Sequence, residues 1–321
     1  MPGAILVSAW IEERFGDALR AAAPGRPLAV LRGEALDGDP AQVEAAFFSG
    51  DLYPGGARPL ARALHQAPGL RWLHTFAAGV DHPFFQRLLA RGVRLTTSSG
   101  AAAVPIAHTV ALYLLALSRD LPGWARDQAA RRWNPRDVED LQGRRLVVLG
   151  LGPIGLEVVR LGQALRMEVT GVRRTPRGDE PCATWPLARL DELLPRAEWL
   201  VLALPLAEET HHLLDARRLA LLPRGARVVN VGRGALVDEA ALVAALASGH
   251  VGGAGLDVFE VEPLPQESPL WSHPRVVVTP HASGSNPGND RRAAEIFVDN
   301  LARYVGGKPL RNEVEAPAAG A

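Results

Sequence analysis

The sequence predicts an α/β protein made of two doubly wound parallel-sheet domains. Three observations carry this expectation. The chain has 321 residues, which suits two domains of roughly 150 residues each. Short apolar runs alternate with helical stretches almost from end to end. Near the middle, a glycine-rich turn sits directly between an apolar run and a helical pattern.

Composition narrows the function classes. With 47% hydrophobic and 22% charged residues, the chain has the balance of a packed globular protein rather than a disordered one. Lys+Arg and Asp+Glu both number 35, so no net charge recommends a nucleic-acid partner. Cys182 stands alone, which excludes a disulfide framework and a thiolate metal cluster. No metal is expected, and a reducing, cytoplasmic setting fits. Ala4–Trp10 is apolar, but no basic segment precedes it and Glu12-Glu13 follows at once, unlike an export signal. The longest apolar run, Ala101–Leu117, is interrupted by Pro105, His108 and Thr109 and falls short of the ~20 residues that span a bilayer. No membrane partner is expected.

In the first hundred residues, strands are predicted at Ala4–Ser8, Leu28–Arg32, Ala46–Ser49, Trp72–Phe76 and Arg94–Thr97, punctuated by Pro and Gly. A helix is predicted over Ala101–Ser118. It is apolar around much of its circumference, more than one buried face requires, and so suits a homodimer contact. A second series of strands follows at Arg145–Gly150, Glu168–Val172, Trp199–Leu204, Arg227–Val231, Ala254–Val258 and Val276–Thr279. These read as apolar runs, as expected for central parallel strands covered on both faces. Helices fit between them, Leu156–Leu165 and Glu239–Ala247 most clearly. Arg291–Val305 reads as an amphipathic helix stopped by Gly306-Gly307, with residues 313–321 as a frayed end. Because this last helix follows the final strand with its apolar face unspent, it is expected to return to the first domain. The expected division is 1–100 plus 287–321 for one domain and 101–286 for the other.

The central motif is Arg145-Leu-Val-Val-Leu-Gly150-Leu-Gly152-Pro153-Ile154-Gly155, a strand running through G-x-G-x-x-G into a helix. Gly150 permits the tight turn, Gly152 lets the backbone approach a pyrophosphate, and Gly155 allows close helix–strand packing. Amides at the helix start then face the anion. Dinucleotide binding follows, with 101–286 as the dinucleotide-binding domain. The ribose reader belongs at the end of the next strand. There the chain has Arg173-Arg174 and no carboxylate, which suits a 2′-phosphate and makes NADP(H) the preferred cofactor, with NAD(H) possible. The alternative reading of the two arginines is as solvated loop charges.

Three later segments, Val229-Asn-Val-Gly-Arg233-Gly, Gly255-Leu-Asp257-Val-Phe-Glu260-Val-Glu262-Pro and Val278-Thr-Pro-His281-Ala-Ser-Gly284, follow the glycine turn in the order and spacing of the D-2-hydroxyacid dehydrogenases. Upstream, Phe76-Ala-Ala-Gly79-Val-Asp-His82 resembles that family's substrate-carboxylate loop, so the resemblance, of a glyoxylate/hydroxypyruvate reductase-like kind, covers nearly the whole chain. It implies a Rossmann domain inserted in a flavodoxin-like substrate domain, and a homodimer. It also implies reduction of small 2-oxo acids such as glyoxylate, hydroxypyruvate or pyruvate. The chemistry needs a proton for the carbonyl oxygen, and His281 suits that role because imidazole titrates near neutral pH. Glu262 would orient and stabilise the imidazolium. Arg233 would bind the substrate carboxylate through its fork of donors. By resemblance, the main-chain amides of Ala78 and Gly79 hold the carboxylate's other side. Leu204, Pro205, Val231 and Gly232 would border the cofactor, as would Arg233, Asp257, His281 and Gly284. Side-chain selectivity falls to Val80, Leu52–Tyr53 and Trp133. The family's usual Ala-Glu is here Ala107-His108, a departure outside the catalytic scheme. Two other functions share this architecture: a formate dehydrogenase, which typically places Gln where Glu262 stands, and a nucleotide-sensing co-repressor scaffold without turnover.

Overall fold

The computed structural model describes residues 2–80 and 82–314. Asp81 and the tail 315–321, read above as part of a turn and as a frayed end, lie outside the described residues. The chain divides into two compact units. One comprises the residues up to Ala101 together with those from Asn286 onward, and the other comprises Ala102–Ser285.

The first unit runs β1 (Ala4–Ser8), α1 (Ala9–Ala22), β2 (Leu28–Arg32), β3 (Ala35–Asp37), β4 (Val43–Phe48), α2 (Ala57–His65), β5 (Trp72–Thr75), α3 (Pro83–Ala90) and β6 (Arg94–Thr97). Its sheet has the order β3-β2-β1-β4-β5-β6, parallel except for the β2–β3 hairpin. Counted in chain order, the five parallel strands run 2-1-3-4-5, the flavodoxin-like arrangement. Separate cores lie on the two faces, one around Leu6, Leu60, Leu73 and Leu88, the other around Ile5, Ile11, Phe47 and Trp72. The second core is completed by the last helix of the chain, which buries Ala293, Ala294, Phe297 and Leu301 at helical spacing. Phe297 stacks on Phe47 with ring centroids 4.7 Å apart. Glu313 and Val314, expected in a frayed end, instead pair with β6. Arg94 forks onto Glu313 at 2.6 and 2.8 Å, and the Val314 amide donates to the Leu95 carbonyl at 2.9 Å.

The second unit runs α4 (Ala103–Ser118), α5 (Leu121–Ala129), β7 (Arg145–Leu149), α6 (Pro153–Ala164), β8 (Glu168–Arg173), β9 (Ala183–Pro186), α7 (Leu190–Leu193), β10 (Trp199–Leu202), α8 (Ala216–Leu221), β11 (Ala226–Asn230), α9 (Glu239–Ala247), β12 (Val251–Leu256) and β13 (Val276–Val278). The chain then re-enters the first unit as α10 (Gly288–Val305). The sheet order is β13-β12-β11-β10-β7-β8-β9, every pair parallel. This is the Rossmann order 3-2-1-4-5-6 with β13 added at one edge. Both faces are covered, one by a core around Leu200, Leu214 and Leu246, the other by α4 and α6 over Leu146, Val148 and Val201. Two short strands, β3 and β9, were not expected. β12 begins at Val251 rather than Ala254, with Gly252 and Gly253 inside it. Among the described residues no single helix is long and apolar enough to cross a membrane.

Candidate active site

The parallel register gathers the site's residues on one edge. Leu149, Leu202, Asn230, Leu256 and Val278 are aligned across β7, β10, β11, β12 and β13. Whatever follows each of them therefore emerges at the carboxyl edge of the sheet, where ligands bind open α/β folds. The glycine turn, Leu204-Pro205, Val231–Arg233, Asp257 and His281 all emerge there.

At the glycine turn, Gly150 has φ +98°, and a Cβ on it would lie 2.7 Å from the Ala203 carbonyl oxygen. A Cβ on Gly155 would lie 1.8 Å from the Gly150 oxygen, so α6 packs against the turn only with glycine there. Gly152 differs. A Cβ there meets no protein atom within 4 Å, so protein packing does not demand glycine at this position, whereas a pyrophosphate lying over the turn does. Pro153 opens α6, and the amides of Ile154 and Gly155 precede its first internal bond, from Leu156 N to Gly152 O at 2.9 Å. These residues fit a nicotinamide dinucleotide.

His281 and Glu262 are brought together. His281 Nδ1 lies 2.7 Å from Glu262 Oε2, and Glu262 Oε1 accepts from the Phe259 amide at 3.0 Å. The carboxylate is thus held at both oxygens, and the ring presents Nε2 outward from a half-exposed side chain. His281 has φ +49°, in the left-handed region. Its amide donates to the Asp257 carbonyl at 2.8 Å.

Asp257, expected beside the nicotinamide, is 1% exposed, and its carboxylate is engaged inward. It accepts from Thr279 Oγ1 at 2.5 Å, from the Ala282 amide at 2.9 Å, and from the Ser283 amide at 3.0 and 3.1 Å. It anchors the loop that carries His281. Asn230, quoted in a motif but given no role, does the same for the Arg233 turn. Its amide nitrogen donates to the Arg233 carbonyl at 2.9 Å, and its oxygen accepts from the Gly232 amide at 3.1 Å. Arg233 follows β11, half-buried, with Nη1 donating to the Gly232 carbonyl at 2.9 Å. Gly284, just beyond the His281 loop, lies against Ala102 and Ile106 at the start of α4.

Arg173, the last residue of β8 rather than a loop residue, and Arg174 after it both have carboxylate partners. Arg173 Nη1 lies 3.0 Å from Glu180 Oε1, and Glu180 also accepts from the amides of Arg177 and Gly178 at 2.7 and 2.8 Å. Those backbone bonds, with Arg173, pull the Glu180 carboxyl down to about 2. Arg174 is largely exposed and pairs with Glu209. Arg173 therefore braces the loop that follows it, while Arg174 is held only by a surface ion pair of the weak kind.

In the first unit, Ala78 and Gly79 lie in the loop after β5, at the carboxyl end of that strand. His82 caps α3, its Nδ1 accepting from the Phe84 amide at 3.2 Å. Tyr53 is 67% exposed beside Phe76, at 6.0 Å between ring centroids. Leu52 is buried and Val80 half-buried, while Trp133, in the second unit, is exposed. His211 and His212 stack on each other, and His212 pairs with Glu260. Among the described residues no group of three His, Cys, Asp or Glu side chains is placed to hold a metal.

A Rossmann sheet with a fitting glycine turn, and a histidine–carboxylate couple at its carboxyl edge, define a nicotinamide-dinucleotide-dependent oxidoreductase. The comparisons specify the family. Residues 111–283 match the model of the D-isomer specific 2-hydroxyacid dehydrogenase, NAD binding domain. The chain is 35% identical over 288 residues to glyoxylate/hydroxypyruvate reductase B of Citrobacter koseri, covering 87% of this chain and 89% of that one. Its structure resembles a D-isomer specific 2-hydroxyacid dehydrogenase from Xanthobacter autotrophicus Py2 in complex with NADPH and MES. That match has a TM-score of 0.80 at 37% identity, covering 98% of this chain and 99% of that one. It also resembles an NADPH-dependent glyoxylate/hydroxypyruvate reductase from Sinorhizobium meliloti in complex with NADP and sulfate. Here the TM-score is 0.79 at 28% identity, over 98% and 99% of the two chains. The protein belongs to the D-isomer specific 2-hydroxyacid dehydrogenase family.

Proposed function

We propose that this dehydrogenase is a cytoplasmic, homodimeric, NADP(H)-preferring reductase of small 2-oxo acids, of the glyoxylate, hydroxypyruvate or pyruvate kind, with His281 as its proton donor. One observation carries the reading: His281 Nδ1 is fixed on Glu262 at 2.7 Å, and Glu262 is itself fixed by the Phe259 amide. A ring held this way has one tautomer when neutral, and its Nε2 is the atom that exchanges a proton with the substrate oxygen. The bound nicotinamide supplies the hydride. Arg233 would hold the substrate carboxylate by a two-pronged contact and polarise its keto oxygen, with the Ala78 and Gly79 amides as further donors. The dinucleotide would lie over Gly150–Gly155 and along Leu204-Pro205 and Val231-Gly232, with its 2′-phosphate toward Arg173 and Arg174. Residues up to Ala101 with α10 would form the substrate domain, and Ala102–Ser285 the dinucleotide domain.

Support for the substrate class and cofactor comes from relatives named glyoxylate/hydroxypyruvate reductase, one of them in complex with NADP. The carboxylate at Glu262, where a formate dehydrogenase typically has glutamine, favours a 2-oxo acid reductase over that enzyme. The test is a panel of 2-oxo acids assayed with NADPH and with NADH on the wild type and His281→Ala. Turnover of glyoxylate or hydroxypyruvate that prefers NADPH and is lost in the variant supports the reading. Nucleotide binding without turnover of any panel member would favour the co-repressor-like scaffold instead.

A further inference from the structure

We propose that the hydroxyl of Tyr113, in the middle of α4, is a positioning group for His281 that acts through Thr279 and Asp257. The inference rests on the reading of His281 as proton donor. Tyr113 is fully buried among Val110, Leu114, Val148 and Val229. In such surroundings a phenol hydroxyl destabilises the fold unless it is hydrogen-bonded, and phenylalanine would fill the same space without that demand. The hydroxyl lies 2.5 Å from Thr279 Oγ1, which in turn lies 2.5 Å from Asp257 Oδ1. An ionised carboxylate only accepts, so the donors run one way, from Tyr113 to Thr279 and from Thr279 to Asp257. Burial, reinforced by the negative Asp257, holds the phenol's pKa above its ordinary range and keeps its proton in place.

The end of this chain controls the His281 loop. The same Asp257 oxygen that Thr279 reaches also accepts from the amides of Ala282 and Ser283, while the Asp257 carbonyl takes the amide of His281. One buried residue thus brackets His281 on both sides. That bracket is needed because His281 sits at φ +49°, a conformation that persists only when its neighbours over-determine it. Glu262 faces the imidazole and Asp257 faces the loop backbone. Tyr113 is the buried donor to the Thr279 oxygen, and so helps hold in place the hydroxyl that Thr279 directs at Asp257. The sheet makes room for it, since a Cβ on Gly255 of β12 would fall 2.5 Å from Tyr113 Cγ. A strand position has given up its side chain to admit a ring whose polar end reaches toward the histidine loop.

The experiment compares Tyr113→Phe, Thr279→Val and Thr279→Ser with wild type and His281→Ala, using hydroxypyruvate and saturating NADPH across pH. Tyr113→Phe keeps the ring against Gly255 and removes only the hydroxyl. Its kcat should fall about tenfold, part of the 10²–10⁴ that a well-placed general acid contributes. KM for hydroxypyruvate should stay within about twofold, since binding groups are untouched. The alkaline limb of its kcat profile should move to lower pH as the imidazolium loses its set position on Glu262. Thr279→Val should behave alike, the double variant should cost no more than either single one, and Thr279→Ser should keep the wild-type profile. Tyr113→Phe with wild-type kcat and profile overturns the proposal. So does a variant with a lower Tm but an unchanged profile, which would mark the hydroxyl as structural. Should His281→Ala itself keep its kcat, the failure belongs to the underlying reading. An inactive His281→Ala beside an unaffected Tyr113→Phe rejects the Tyr113 proposal alone.

Discussion

At the scale of single residues, the site is a set of polar groups each fixed by a second group. Glu262 fixes His281, the Phe259 amide fixes Glu262, and Asn230 fixes the turn that carries Arg233. The expected consequence is a graded response to mutation. His281→Ala should lower kcat by about 10²–10⁴, the usual worth of general acid catalysis, while leaving NADPH affinity nearly unchanged. Glu262→Gln keeps a hydrogen-bonding group but removes the charge that favours imidazolium. It should cost less, and should shift the alkaline limb of the kcat profile to lower pH. Steady-state kinetics across pH check both, and a His281→Ala enzyme keeping more than about a tenth of wild-type kcat would remove the assignment. Arg233, Glu262 and His281 are proposed from motifs in the family's order, and each is of the residue type the proposed chemistry needs. Asp257 was legible as important but not in its role, since only the fold shows its carboxylate turned inward. Tyr113 was not legible, because an aromatic residue within an apolar helix reads as core.

At the scale of elements, the loop at the end of β8 is where the proposed cofactor preference can be tested. Arg173 is committed to Glu180, whose carboxylate also caps two backbone amides. An aspartate at 173 would face that carboxylate and disrupt the loop, so the proposed cofactor preference is better tested at 174. Arg174→Ala should reduce kcat/KM for NADPH about tenfold, the worth of one charge-assisted contact after screening, chiefly through KM. NADH kinetics should change little, and the wild-type preference should fall as salt rises. Arg173→Ala should weaken both cofactors together. Equal changes with NADPH and NADH in the Arg174 variant would leave that arginine as a solvated charge.

A second element-level consequence concerns β5, where His74 is fully buried between Thr96 Oγ1 at 2.7 Å and Ser98 Oγ at 3.0 Å. Burial drives its pKa down to about 3, so it stays neutral when folded and takes up a proton readily only when unfolded. Below the ordinary histidine value of 6.5 the unfolded state binds the extra proton, and stability should fall with pH down to about 3. The slope from this one group approaches about 1.4 kcal/mol per pH unit. Denaturant titrations of His74→Gln against wild type should show a shallower acid slope, and identical slopes would exclude the effect. The buried strands were legible because both-face burial writes a continuous apolar run. β3 and β9 were not, because they are short edge pieces with mixed exposure.

At the scale of the whole molecule, the clearest unsatisfied surface is on α4 and the start of α5. Val104, His108, Leu112 and Leu115 fall within one stripe of α4 at the helical period, opposite the buried Ala107, Val110 and Leu114. Val104, Leu112 and Leu115 are 46%, 50% and 44% exposed, and Leu121 and Trp124 extend the apolar surface onto α5. Monomeric proteins seldom present such a stripe to water. The commonest resolution in a homo-oligomer is a two-fold contact, in which the patch covers its own copy. His108, where the family commonly has glutamate, stands within the stripe, so this chain would bring an imidazole rather than a carboxylate to that contact. The expected outcome is sedimentation at twice the 34.3 kDa chain mass at micromolar concentration. A stable contact of this kind buries about 1,200–2,000 Å². Leu112→Arg would place an unpaired charge inside it and should shift the protein to the single-chain mass without unfolding either unit, because Leu112 contributes to neither core. Wild-type protein that sediments as one chain would end the dimer proposal. A Leu112→Arg protein that stays dimeric would move the contact to another surface.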